Sequence, residues 1–221
     1  MKVLAFNSSP HKDNGNTALI LNPFLGGMRE AGAEVELFYT CDLDINPCRG
    51  ELNCMLKTPG KCHQNDDIQM LTPKLGADVL VLASPLYIWA VNGQMKNLMD
   101  RMVPLLPPNK GRVILVSSCG FWGLENFDPL LFHIKAICHN IDRVFAGALL
   151  RPHAVYLKMM LEAGAQVQDI PAAAQEAGRQ LVVDQTINPK TLSIVSRELV
   201  SLEAWNDRVK QRFGPTADSS Q

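Results

Sequence analysis

The sequence predicts an α/β fold: a doubly wound, five-stranded parallel sheet followed by extra helices. Three observations carry this. Five strand-like runs are separated by helix-patterned segments, the alternation that builds a parallel sheet with right-handed crossovers. Two of those runs, Val3-Leu4-Ala5-Phe6 and Val79-Leu80-Val81-Leu82, are continuously apolar, as strands covered on both faces are. Three of the strands lead into loops rich in Ser, Asn, Gly and Pro. In such sheets ligands bind outside the carboxyl ends of the strands, so all three loops are expected on one edge.

The elements follow in order. Residues 2–7 form the first, central strand. The loop Ser8-Ser9-Pro10-His11-Lys12-Asp13-Asn14-Gly15-Asn16-Thr17 then enters a helix over 17–31. Hydroxyls, open backbone N–H groups and the positive end of a helix dipole make a phosphate site. Asn16 or Thr17 is placed to cap the helix, and Gly32 to end it. Pro23 falls inside it and is expected to kink it. The loop matches neither G-x-x-x-x-G-K-[ST] nor G-x-G-x-x-G, which argues against an ATPase or a Rossmann dinucleotide site.

Residues 33–39 alternate in polarity and read as a less buried strand nearer an edge. Residues 40–65 have no period and hold four of the six cysteines, a long functional loop. A short helix over 66–76, a buried strand over 78–84, the loop Ser84-Pro85-Leu86-Tyr87-Ile88-Trp89 and a helix from Asn92 or Gly93 to Met102 come next. A surface turn at 107–111 leads to strand four (112–118) and the loop Ser117-Ser118-Cys119-Gly120-Phe121-Trp122-Gly123. A helix over 130–140 and strand five (144–150) complete the sheet. Beyond His153, helices are expected over 170–185 and 191–213, with a loose tail from Gly214 to Gln221.

The totals narrow the function. The chain has 221 residues, a net charge of −1 and a pI near 6.5. No basic tract points to nucleic acid or an anionic membrane surface. No apolar run approaches the roughly 20 residues of a membrane span. The first strand begins almost at Met1, so no signal peptide is expected and a cytoplasmic protein is. In that compartment disulfides are not the default for Cys41, Cys48, Cys54, Cys62, Cys119 and Cys138.

Taken alone, each loop has a plainer reading. A Ser/Asn/Gly loop is most often a turn, and Tyr87 and Trp89 would be core or interface aromatics. Their joint placement at strand ends points to a flavin. Asn7-Ser8-Ser9-Pro10-His11 with Gly15-Asn16-Thr17, then Ser84 to Trp89, then Gln94-Met95-Lys96-Asn97-Leu98-Met99-Asp100-Arg101, resemble the phosphate and flavin loops of one group. That group is the NAD(P)H-dependent FMN reductases and iron-sulfur flavoproteins of the flavodoxin-like superfamily.

The resemblance implies a flavodoxin-like FMN-binding domain over 1–153, with 154–221 as a helical extension packed on it or on a partner subunit. It implies that Ser9, His11, Asn16 and Thr17 surround the FMN phosphate. Pro85, Leu86, Tyr87, Ile88 and Trp89 would lie along the ring, and Ser118, Cys119 and Gly120 would close the other side. His11 replaces the group's usual arginine and Ser8 its usual glycine.

The implied activity passes electrons from NAD(P)H, as co-substrate, through FMN to a small acceptor: a quinone, a nitro or azo compound, or a metal complex. The implied assembly is a homodimer or homotetramer. The rivals are an electron carrier docking a protein, which the near-neutral charge argues against, and a flavin or thiol redox sensor.

Cys48, Cys54 and Cys62 match the first, third and fourth positions of the group's cluster motif, and Glu51 takes the second. A [4Fe–4S] cluster usually takes four thiolates, so no iron-sulfur cluster is expected. Zinc, a redox pair and simple packing of the loop stay open. Cys41 is expected to continue strand two and Cys138 to be core. Asp66 is read as an acidic residue favoured at a helix N-terminus.

Overall fold

The five strands pair, all parallel, in the order β2-β1-β3-β4-β5 in a computed structural model. The structure describes residues 1–107 and 110–214. Pro108 and Asn109 of the expected surface turn, and 215–221 of the expected tail, lie outside the described residues.

The strands are β1 (Lys2–Asn7), β2 (Glu34–Tyr39), β3 (Val79–Pro85), β4 (Arg112–Ser118) and β5 (Val144–Arg151). The helices are α1 (Ala18–Glu30), α2 (Asn53–Leu56), α3 (Ile68–Leu71), α4 (Gly93–Met102), α5 (Asp128–Asn140), α6 (Ala154–Glu162), α7 (Asp169–Val183), α8 (Pro189–Ser196) and α9 (Leu202–Phe213).

Strand side chains alternate between two cores. Val3, Ala5, Val79, Val81, Ile114 and Val116 face α1 and α7. Leu4, Phe6, Leu80, Leu82, Val113 and Leu115 face α3, α4 and α5. The fold is the expected flavodoxin-like doubly wound sheet, with β2 as a part-exposed edge. The sheet grows from β1 in opposite directions, to β2 on one side and β3 on the other, which opens a crevice at their carboxyl ends.

The first helix continues through Pro23 and ends as expected. Gly32 N–H donates to Arg29 O and Ala33 N–H to Met28 O, with Gly32 at φ +88°, the paired bonds of a glycine-terminated helix. Against α1 lies α7, at backbone distance. A Cβ at Gly27 would overlap the carbonyl of Gln175, and one at Gly178 the carbonyl of Phe24.

Several expectations need correction. Cys41 does not extend β2; it lies in the 3₁₀ turn Thr40–Asp42. The expected helix over 66–76 is a single α turn, α3, followed by the 3₁₀ turn Thr72–Lys74 that contains Pro73. The expected helix over 191–213 is two, α8 and α9. The buried Arg151 guanidinium takes the carbonyls of Val195 and Arg197, which ends α8, and Ser201 Oγ caps α9 by accepting from Ala204 N–H. Helix α6 is absent from the sequence reading because its apolar residues run all round it: Leu157 is buried while Val155 and Met159 are exposed.

Candidate functional site

The loops after β1, β3 and β4 converge on one polar knot at the carboxyl edge. Ser8 N–H donates to Ala83 O at 2.8 Å, and Asn92 Nδ2 to Ser8 O at 2.6 Å. Asn92 N–H donates to Ser84 Oγ at 3.1 Å, and Ser117 Oγ to Ser84 O at 2.8 Å. Leu86 N–H donates to Ser118 O. Thr17 Oγ1 and Ser118 Oγ lie 2.9 Å apart, joining the first loop to the third across the width of β3. All these polar groups are buried and paired, as burial demands. Asn92 starts α4 as expected, accepting from Met95 N–H, and its amide also holds the first loop to the second.

Thr17 is therefore not the side-chain cap that its position implies. Its backbone is already helical and its hydroxyl is spent on Ser118. Independently of that bond, the N–H groups of Asn16 and Thr17, at the positive end of α1, have no acceptor among the described residues. Ser9 is buried beside Gly15, where a Cβ would overlap Ser9 Oγ, so the loop curls tightly. His11 is exposed at the lip. Asn7 Oδ1 accepts from Ser9 N–H at 2.9 Å, whereas its buried Nδ2 has no partner.

The second loop is a two-residue turn. Tyr87 and Ala90 exchange both backbone bonds, and Ile88 and Trp89 between them have φ of +48° and +56°. This is a type I′ turn, whose central positions favour Asn-Gly. A bulky residue there costs about 1–2 kcal/mol. Ile88 is 86 % exposed, and Tyr87 and Trp89 are about half exposed. Leu86, by contrast, packs into the core, and its N–H is bonded to Ser118 O. Trp89 stacks on Phe121 of the third loop with ring centroids 6.0 Å apart and planes within 6°.

In the third loop Cys119 points inward. Its Sγ lies 3.8 Å from Phe121 O, and burial pushes its thiol up to about 11, so it stays protonated at neutral pH. Gly120 is exposed at the rim. His153 supports this loop from below: its N–H donates to Phe121 O, and its Nε2 lies 2.6 Å from Trp122 O.

The cysteine loop is anchored by a pair that the sequence reading missed. Arg101 and Asp66, each with a side chain only 1 % exposed, form a bidentate bridge at 2.6 and 2.9 Å. Arg101 also donates to Asn46 O at 2.6 Å and to Cys62 Sγ at 3.3 Å. Cys48, Glu51, Cys54 and Cys62 line one small concavity of about 40 Å³. Among the described residues no three His, Cys, Asp or Glu side chains converge as a metal needs. Three thiols, one already engaged by a guanidinium, do not fit a cluster that takes four thiolates.

With this geometry in place, the sequence model of the NADPH-dependent FMN reductase family matches residues 1–143. The chain belongs to that family. Among the curated relatives of this FMN reductase family member, an iron-sulfur flavoprotein of Methanocaldococcus jannaschii is 40% identical over 106 residues, 48% of this chain and 53% of that protein. The chain spans about half the length of the curated relatives it matches.

Solved structures share the fold. An FMN-dependent NADH-azoreductase from Bacillus anthracis in complex with FMN has a TM-score of 0.60 at 14% identity, covering 82% of this chain and 100% of that one. An NAD(P)H:quinone oxidoreductase from Methanothermobacter marburgensis has a TM-score of 0.55 at 15% identity, covering 82% and 96%.

The residues fit the flavin mononucleotide that the family name implies. The unpaired N–H groups of Asn16 and Thr17 suit a phosphate, and the orphaned Asn7 Nδ2 is a donor awaiting an acceptor. No such fit holds for iron and sulfide in the cysteine loop.

Proposed function

We propose that this protein is an FMN-dependent oxidoreductase that takes electrons from NAD(P)H and passes them to a small quinone, nitro or azo acceptor. One observation carries the reading. Thr17, at the phosphate end, is hydrogen-bonded to Ser118, beside the loops that would flank the ring, so three sequence-distant loops form one site.

In this reading Ser9, His11, Asn16 and Thr17 hold the phosphate. Pro85 to Trp89 and Ser118 to Gly120 flank the ring, and the N–H groups of Ile88, Trp89 and Gly120, which have no acceptor among the described residues, are the ones left to reach its polar edge. Cys119 lines the site by position only: its thiol is turned away, and its N–H and carbonyl are bonded to Arg151 O and Ala154 N–H. When bound, FMN supplies two-electron transfer between nicotinamide and acceptor. The protein's part is binding, orientation and exclusion of water. No proton-transfer residue is assigned.

Residues 1–153 are the cofactor-binding unit, and the described residues after them, 154–214, its helical extension. Trp89 and Tyr87 form a flat apolar wall for the acceptor. The exposed loop aromatics also suit a homodimer or homotetramer. Six unpaired cysteines suit a reducing, cytoplasmic setting. No helix among the described residues is long and apolar enough to cross a membrane.

The test is the visible spectrum of protein purified without oxygen, followed by acid release of the chromophore and an NAD(P)H oxidation assay with a quinone. Released FMN and steady turnover are expected. Colourless protein that refuses added FMN overturns the reading; bound FMN with no turnover favours the electron carrier.

A further inference from the structure

We propose that the cleft between the third loop, α6 and α9 binds a flat aromatic anion. The cleft has a volume of about 490 Å³, room for two or three fused rings. Phe121, Tyr156 and Trp205 present three aromatic rings to it, with Met159 and Val155 alongside. Trp205 is held in place, its Nε1 donating to Gly120 O at 3.4 Å. Among the described residues one charged group lines the cleft: the Arg208 guanidinium lies 5.0 Å over the Tyr156 ring.

Arg208 forms no ion pair among the described residues. The guanidinium sits over the Tyr156 ring at the cleft, and a planar guanidinium pairs with carboxylate or sulfonate through two parallel bonds. Aromatic walls favour a planar ring system and the unpaired cation favours a negative charge. Arg208 is exposed, so water solvates it beside a neutral arene; an anion adds a charge-assisted pair, and a cation would be repelled.

Five of the six side chains that carry this argument, Val155, Tyr156, Met159, Trp205 and Arg208, lie beyond residues 1–143, so the site does not rest on the flavin reading. It gives the C-terminal helices a role: α9 forms the outer wall. It also adjoins the first site. Phe121 both lines this cleft and stacks on Trp89.

Calorimetric titration of the full chain with 2-naphthoate and with neutral 2-naphthamide tests this, whatever its flavin content. One naphthoate per chain is expected. Arg208→Gln should weaken naphthoate about tenfold or more, the loss of a charge-assisted pair, and naphthamide less than about twofold. Trp205→Leu should weaken both ligands. Met159→Glu, a change at an exposed position, should repel naphthoate selectively and keeps the test open if the Trp205 variant does not fold. Three results each overturn the proposal: no naphthoate binding to the wild type at millimolar concentration, equal naphthoate binding by Arg208→Gln, or naphthoate binding untouched by Met159→Glu.

Discussion

Asp66 shows what a single side chain can hold. Burial raises its pKa, but the Arg101 hydrogen bonds, the Asn46 N–H, the Arg101 charge and the Ile68 N–H together bring it below the ordinary carboxylate value. A carboxyl depressed on folding contributes stability above its unfolded value, about pH 4, and loses it as pH falls through its folded value. Chemical denaturation followed from pH 7 down to pH 3 should therefore show a loss in the wild type that is smaller in Asp66→Asn. At pH 7, Arg101→Met strands a buried carboxylate and should cost about 3–5 kcal/mol. A cost under about 1 kcal/mol would show that the bridge is not holding the loop. Asp66 looked like a helix-end residue in the sequence because its partner stands 35 positions away, and spacing along the chain says nothing about such a pair. Ser9, Thr17 and Ser118 were legible as loop polars; that Thr17 bonds to Ser118 was not. Trp89→Ala should change acceptor preference, read as kcat/KM for a quinone against a nitroarene, more than FMN content. Equal ratios in mutant and wild type would remove Trp89 from the acceptor wall.

Among the elements, the turn at Ile88-Trp89 is where local preference and observed backbone disagree most openly. Two left-handed, bulky residues stand where Asn-Gly would be relaxed. Buried neighbours hold the turn: Leu86 packs in the core, and Asn92 is fixed to Ser8 and Ser84. The double variant Ile88→Asn, Trp89→Gly should be stabilised by about 1–3 kcal/mol in urea unfolding while its turnover with the acceptor falls, strain of this kind being retained for function. A variant that is both less stable and fully active would refute that. The strands and α1, α4 and α5 were readable because their apolar pattern follows the period of the backbone they adopt. Helix α6 was not, since apolar residues all round leave no stripe, and the break between α8 and α9 is imposed by Arg151, a residue of β5 that local sequence around 197–201 does not mention.

At the scale of the whole molecule, the C-terminal helices and the cofactor edge are mechanically continuous. Helix α7 lies on α1 through Gly27 and Gly178, α1 begins at the open N–H groups of Asn16 and Thr17, and Thr17 is bonded to the third loop. A methyl group at Gly178 meets backbone, the carbonyl of Phe24, so no side chain can move aside and the helices must separate. Overpacking of this kind costs about 1–3 kcal/mol, roughly 2–12 °C in Tm for a chain of this size. Because the displaced helix carries the phosphate end of the proposed site, Gly178→Ala should also weaken FMN retention, measured as free flavin after gel filtration at 25 °C. Gly26→Ala is the control: it lies on the same helix with nothing within 4 Å of its added carbon, and it should leave both Tm and FMN retention at or slightly above the wild-type values. If Gly178→Ala lowers Tm but holds its flavin as tightly as Gly26→Ala, the C-terminal helices support the sheet without setting the geometry of its edge.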